Sequence, residues 1–153
     1  MAATYDLTDG GTTQLQELRN TIGIWSKKIN LNDLVVEAGL TISVADDVFE
    51  VLNIPAQSIV LFGGVNPVTA EGDTLTISLG DGGSAAGYMA ALDLEATTPA
   101  ATVNDDGYGT DVSTGRYYAS ADTLDIKVLT IGAQTTHLSE FIVWAAVVQV
   151  PTS

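Results

Sequence analysis

From residue 48 onward the chain alternates between apolar runs of strand length and short segments rich in Gly, Pro, Asn and Asp. In residues 74–79, Leu75, Ile77 and Leu79 share one face while Thr and Ser occupy the other, which is the period of a β-strand. On such patterns we predict strands at residues 48–54, 58–62, 74–79, 88–94, 124–131 and 138–150. Strands at this spacing, without a βαβ rhythm, predict an antiparallel sandwich or barrel.

Helical patterns are short and lie before residue 41. Residues 13–19 fit one or two turns. Residues 31–40 place Leu31, Leu34 and Val35 on one helical face, and Gly39 is a stop signal. The chain is therefore predicted to be all-β with little helix.

The last predicted strand is apolar on both faces between Phe141 and Val148. In a two-layer sandwich one face of a strand normally meets water. Two explanations remain open: the N-terminal segment or a loop covers the second face, or that face is a subunit interface.

The charge of the chain excludes some classes of partner, although it says little about the fold. Of 153 residues only 16% are charged, and 19 acidic residues against five basic ones give a net charge of -14. Such a chain repels phosphate backbones and anionic membranes, so we expect neither a nucleic-acid nor a membrane partner. The absence of cysteine excludes thiolate metal sites and cysteine nucleophiles. No cofactor is predicted.

The charge is unevenly distributed along the chain. Residues 1–29 contain as many bases as acids, so the whole net charge lies in residues 30–153. An acidic body could simply favour solubility. Alternatively, the neutral segment lies against a partner while the acidic body faces water. We predict an N-terminal arm at residues 1–39 and a β-sandwich domain at residues 40–153.

Motifs for catalysis are weak. Residues 80–85 match the G-x-G-x-x-A pattern of a dinucleotide loop, but no convincing helix follows and no acidic residue lies about 20 residues on. A glycine hairpin is the better interpretation. His137 is the single histidine and lacks a nucleophile motif, so a surface position is the default expectation. No catalytic residue is predicted.

The loop at residues 96–115 and the residues that follow it carry further candidates. Asp105, Asp106 and Asp111 form a weak calcium candidate, although their spacing does not fit an EF-hand. Four residues in and after the same loop could form a glycan platform or a hydrogen-bonding rim at an interface: Tyr108, Arg116, Tyr117 and Tyr118.

The order of segments from residue 45 onward resembles a known family. An Asp-Val strand ends at Ile54-Pro55-Ala56, a later strand ends at Gly80-Asp81, and the turn Tyr118–Thr123 leads into the closing hairpin. Across roughly residues 40–150 this pattern is similar to the capsid decoration (cement) proteins of tailed phages, especially those of cyanophages and other marine phages.

The resemblance implies a jelly-roll-like antiparallel β-sandwich with a short N-terminal arm and no enzymatic activity. It further implies synthesis in the host cytoplasm, a place on the outer capsid surface, and the major capsid protein as partner. Members of such families often form homo-oligomers, so a trimer is favoured and a dimer is possible. For capsid or subunit contact we nominate four residues of the arm: Arg19, Trp25, Lys27 and Lys28.

Alternatives remain both for the role of Trp25 and for the function of the chain. Core packing is at least as good an explanation of Trp25 as a partner contact. A carbohydrate- or receptor-binding module of a phage head or tail fibre would need exposed tyrosines. A small hydrolase would need a cleft lined by carboxylates.

Overall fold

A computed structural model describes residues 4–6, 22–36, 42, 45–96 and 115–150. Nine strands and one short helix lie in these ranges, in the order β1 (Thr4–Asp6), β2 (Ile22–Asn30), α1 (Leu31–Val36), β3 (Val48–Ile54), β4 (Ser58–Thr69), β5 (Leu75–Asp81), β6 (Ser84–Asp93), β7 (Arg116–Tyr118), β8 (Asp122–Ile131) and β9 (Glu140–Gln149).

The strands form two sheets. One has the order β1-β3-β8-β5-β6 and the other the order β2-β9-β4-β7. All pairings are antiparallel except the one between β1 and β3. The all-β sandwich predicted from the sequence is therefore confirmed.

The strand pairing also gives the jelly-roll topology. β2 pairs with β9, β3 with β8, β4 with β7 and β5 with β6, so the chain folds back on itself as one long hairpin. Two further ladders, β4 with β9 and β5 with β8, join the arms of this hairpin into two four-stranded layers. Eight strands in this nested order form a jelly roll, and β1 adds a fifth strand to one layer.

The hydrophobic core lies between the two layers, where the alternating positions of the strands meet. Leu75, Ile77 and Leu79 of β5 are buried, as the alternation in the sequence predicts. On β9 the inward positions are Phe141, Val143, Ala145 and Val147, and each is at most 2% exposed. Burial of such side chains is the main favourable contribution to folding.

β4 is longer than the sequence predicted. It continues through Gly63-Gly64 and Asn66-Pro67 to Thr69, where the sequence indicated breaks. Pro67 lies opposite Phe141 of β9 beside a register shift in that ladder, and on its other side β7 pairs only with Ser58, Ile59 and Val60. Proline is tolerated in strands at such irregular or unpaired positions.

Part of the predicted arm belongs to the sandwich. β2 is an edge strand paired with β9 over its full length, and α1 follows it directly. The side chain of Asn30 caps α1 by accepting a hydrogen bond from the backbone N–H of Asp33 at 3.2 Å. Residues 22–36 are therefore built into the body, whereas a partner contact by the predicted segment 1–39 stays a prediction.

Candidate interaction surface

The four-stranded sheet has an outward side that is largely apolar, with polar residues toward the end that carries Asn30 and Glu140. Residues directly opposite each other in an antiparallel ladder lie on the same side of the sheet, so the registers identify its members. We define the outer face of the four-stranded sheet by its apolar members and by three polar ones, Ser26 and Lys28 of β2 and Asn66 of β4. The apolar members are Ile22 and Ile24 of β2, Ile59 and Phe62 of β4, Tyr117 of β7, and Ile142, Trp144, Ala146 and Val148 of β9.

Several of these side chains are strongly exposed. Ile22 is 59%, Ile24 63% and Tyr117 50% exposed. In the centre the rings of Phe62 and Trp144 pack edge to face with centroids 5.9 Å apart, an arrangement that aromatic pairs favour. β2 lies beside β9 and leaves the outward side of β9 uncovered. Two explanations were given above for a closing strand that is apolar on both faces. Because the described strands do not cover its outward side, a subunit interface stays a prediction for this side.

One ion pair marks the end of this face. The Lys28 ammonium lies 2.9 Å from Oε2 of Glu140, and the Asn30 amide donates to Oε1 of the same carboxylate at 2.8 Å. The hydrogen bond from Lys28 lowers the pKa of Glu140 below its usual value, which favours the ionised carboxylate. The charges of the face therefore balance internally.

The two sheets differ in charge. Among the described side chains, the outward side of the five-stranded sheet carries three acids and one base, namely Glu50, Asp93, Asp125 and Lys127. The outward side of the four-stranded sheet carries Lys28 and Glu140, whose charges cancel. The outward sides of a sandwich point in opposite directions. One broad side of the molecule is therefore acidic, and the other is apolar and close to neutral.

The nominated contact residues lie on different sides of β2. Trp25 is opposite buried Ala145 and packs against the core, which is the core-packing alternative considered above. Lys27 is opposite Val143 on the same inward side, while Lys28 is on the outer face. Arg19 lies outside the described residues. The pattern did not single out Ile22 and Ile24, because apolar residues on both sides of β2 leave no alternating signal in the sequence.

The nominated tyrosine rim does not form one surface. Tyr118 is only 4% exposed, because it points between the sheets while Tyr117 points outward. Arg116 also points inward, with Nε 2.8 Å from the carboxylate of Asp81 and its guanidinium 5.5 Å from the ring centroid of Tyr118. Tyr108 lies outside the described residues. Alternation along β7 is the physical reason for this correction, since neighbouring strand residues face opposite sides.

Tyr118 is instead part of a buried polar network. Its hydroxyl donates to Oδ2 of Asp81 at 2.6 Å, and the hydroxyl of Tyr88 lies 2.8 Å from that of Tyr118. Since the single proton of Tyr118 is directed at the carboxylate, Tyr88 is the donor in the second bond. Burial, followed by the hydrogen bond to Asp81, raises the pKa of Tyr118 far above its usual value. Burial raises the pKa of Tyr88 as well, so both tyrosine hydroxyls keep their protons and act as donors in the network.

The glycine motif at residues 80–85 is a hairpin, as the sequence predicted. β5 ends at Asp81 and β6 begins at Ser84, and Oδ1 of Asp81 accepts the backbone N–H groups of Gly83 and Ser84 at 2.9 Å. The calcium candidates Asp105, Asp106 and Asp111 lie outside the described residues. Within the described ranges, no group of three or more Asp, Glu or His side chains is arranged to hold a metal ion.

The surface position expected for His137 is wrong, since its side chain is only 3% exposed. Its Nδ1 lies 2.8 Å from Oε1 of Glu71, and Oε2 of Glu71 accepts the backbone N–H groups of Leu138 and Ser139. The histidine belongs to a buried polar cluster that joins two loops at one end of the sandwich. The sequence around His137 gives no indication that its partner is the carboxylate of Glu71, 66 residues away.

Comparisons with known proteins identify the fold. No protein-family model matches the sequence, and no curated protein matches it either. Among solved structures, a chain in the capsid of Ralstonia phage GP4 is 12% identical with a TM-score of 0.56, covering 98% of this chain and all of that one. A chain in the capsid asymmetric unit of cyanophage Pam1 is 18% identical with a TM-score of 0.58, covering 86% and 87%.

These likenesses extend over nearly the whole of each chain, so they concern the complete jelly roll rather than one of its sheets. At such identities they show a shared fold. Over the described residues, no helix has the length and apolar character needed to cross a membrane.

Proposed function

We propose that this chain is a non-enzymatic virion structural protein that decorates the outer surface of a tailed-phage head and stabilises contacts between capsomers. The observation that carries the proposal is the likeness of the complete jelly roll to chains of two phage capsids. Fold likeness alone does not determine function. A second and independent line of support is the resemblance of short sequence motifs to decoration proteins.

The charge distribution suits this location. An acidic sheet that faces water keeps a crowded particle surface soluble, and a chain of net charge -14 is repelled by packaged nucleic acid. The side left for protein contacts is the apolar one, with the major capsid protein as the proposed partner. The proposal includes assembly as a homo-oligomer, either a trimer or a dimer.

The buried polar groups support a structural role rather than catalysis. Asp81 and Glu71 each accept several hydrogen bonds from groups inside the fold. Groups satisfied in this way hold loops in place and are not directed toward a cleft. The carbohydrate-binding alternative retains one described exposed aromatic among its candidates, Tyr117, whose hydroxyl donates to Gln57.

Cryo-electron microscopy of the virion tests the proposal directly. We expect a jelly-roll density on the outside of the head shell, in contact with the major capsid protein. Absence of this chain from the shell would contradict the proposal. A glycan array with the purified protein tests the alternative, and binding to a defined glycan would favour it.

A further inference from the structure

The geometry points to the outer face of the four-stranded sheet as the surface at which a second copy of this chain packs. The strongest indication is β2, where Ile22 and Ile24 are 59% and 63% exposed. Isolated exposed apolar residues are common, but a contiguous group is not. Here the two isoleucines continue into the half-buried row of Ile142, Trp144 and Val148 on β9.

The size of the face fits a protein interface. Strands rise about 3.3 Å per residue and lie about 4.8 Å apart, so three strands of about nine residues cover roughly 400 Å², and the short strand β7 adds only about 50 Å². The largest apolar patch on a typical monomer is about 300–600 Å² and is often functional. A standard interface buries about 800 Å² per partner. The apolar face thus supplies the centre of such an interface, and surrounding loops would supply the rim.

The charge of the face indicates which partner fits. Two copies of a chain with net charge -14 repel each other at most orientations. The outer face is the side where this repulsion is smallest, because its sheet carries few acids and its single lysine is paired with Glu140. A face with balanced charges requires no opposite charge from its partner. A second copy also brings an apolar surface of the same size.

Pairing through the backbone edge of β2 is a weaker alternative. β2 is at the edge of its sheet and could in principle accept another strand. Yet it carries adjacent lysines at positions 27 and 28, and lysine on an edge strand is a common protection against edge-to-edge pairing. Burial of the face, rather than extension of the sheet, is therefore the contact that we infer.

Sedimentation velocity of the purified full chain, at concentrations up to about 100 µM, tests this inference without capsids. This inference takes from the proposed function only the assumption that the chain forms homo-oligomers. If the inference fails, the proposed binding to capsids is not affected. We expect the wild type to sediment as an oligomer. Ile24→Glu should weaken association by about 100-fold or more, because it places a carboxylate in a dry contact.

Two further variants separate loss of the contact from other effects. Ile24→Lys also removes the apolar side chain but makes the net charge less negative, so dissociation by both variants excludes simple acidic repulsion. Thr130→Glu introduces the same charge at an exposed position of β8, on the outward side of the five-stranded sheet. It should sediment like the wild type. Urea midpoints measured at a protein concentration too low for the wild type to associate should be equal for the wild type and all three variants, since the replaced side chains are exposed.

The outcomes that overturn the inference are distinct. A wild type that stays monomeric throughout the concentration range overturns it, as does an oligomer that Ile24→Glu and Ile24→Lys leave intact. A monomer whose binding to phage heads is lost in the Ile24 variants would assign the face to the capsid partner instead. If the wild type forms an oligomer through this face but binds no heads, the proposed function fails and this inference stands.

Discussion

The hydroxyl of Tyr118 donates a 2.6 Å hydrogen bond to the buried carboxylate of Asp81, and this bond joins the two sheets of the sandwich. Tyr118 belongs to the short strand β7 of one sheet, whereas Asp81 ends β5 of the other. Asp81 is 3% exposed, so water cannot replace a lost donor easily. Hydrogen bonds to buried charged groups are among the stronger ones in proteins.

Replacing Tyr118 by phenylalanine should therefore destabilise the fold. Tyr118→Phe leaves the ring in place but removes one donor to Asp81 and the acceptor of Tyr88, which should lower the free energy of unfolding by about 2–3 kcal/mol. Urea denaturation measures this change. Tyr117→Phe is the matched control, because its hydroxyl bonds Gln57 at the surface, and it should cost less than about 0.5 kcal/mol. Equal effects of the two variants would contradict the role assigned to the network.

The carboxylate of Glu71 organises the opposite end of the sandwich. It accepts hydrogen bonds from Gln134 and from the backbone of Leu138 and Ser139, and it contacts His137. Glu71→Ala leaves these buried donors unpaired and should cost about 3–5 kcal/mol in urea or thermal unfolding. Glu95→Ala, at an exposed acidic residue near the end of β6, is the control and should change stability little. A small effect of Glu71→Ala would show that water can replace the carboxylate.

Local patterns were sufficient to predict most of the strands but not the surface of interest. The strand at Val48–Ile54 coincides with β3, and the alternation in residues 124–131 predicts the buried side of β8. The sequence did not predict β2, because its apolar residues lie on both sides of the strand. Ile22 and Ile24 point outward, whereas Trp25 and Ile29 point inward. An element that is not clearly amphipathic gives no periodic signal.

Side-chain partners across long sequence separations could not be predicted at all. His137 is 66 residues from Glu71, and Tyr118 is 37 residues from Asp81. Only the nested strand pairing of the jelly roll brings such residues together. The same holds for the outer face, whose members come from four strands far apart in the chain. The resemblance of short motifs indicated the fold class, but it carried no information on which side of the sheet is exposed.

The hairpin at residues 80–85 requires a residue without a side chain at position 80. A β-carbon at this position would overlap the backbone of Ser84 and Ala85 on β6. Gly80→Ala should therefore separate the two strands locally and cost about 3 kcal/mol or more, measured by urea denaturation. Gly72→Ala is the comparison, since that residue has a positive φ but open space around its Cα, and it should cost only about 1 kcal/mol. A tolerated Gly80→Ala would show that the hairpin can open without loss of the fold.

Asp125 makes stability depend on pH. Its side chain is 8% exposed and lies opposite Glu50 on the outward side of the five-stranded sheet. Burial first, and then the negative charges of Glu50, Asp122 and Asp81, raise the pKa of Asp125 to about 6 from an ordinary value of 3.8. The folded state therefore binds the proton more tightly than the unfolded state does.

The sign of the effect follows from linkage. Between about pH 4 and pH 6 the folded state holds more protons at Asp125, so this group lowers the free energy of unfolding as the pH rises through that window, by on the order of 3 kcal/mol in total. Asp125→Asn removes the ionisable group, and the difference between variant and wild type should grow in favour of the variant from pH 3 to pH 8. Urea midpoints across this range measure it, with the exposed Asp93→Asn as the control for the loss of one charge. A difference that stays constant with pH would show that the carboxyl of Asp125 ionises equally well in both states.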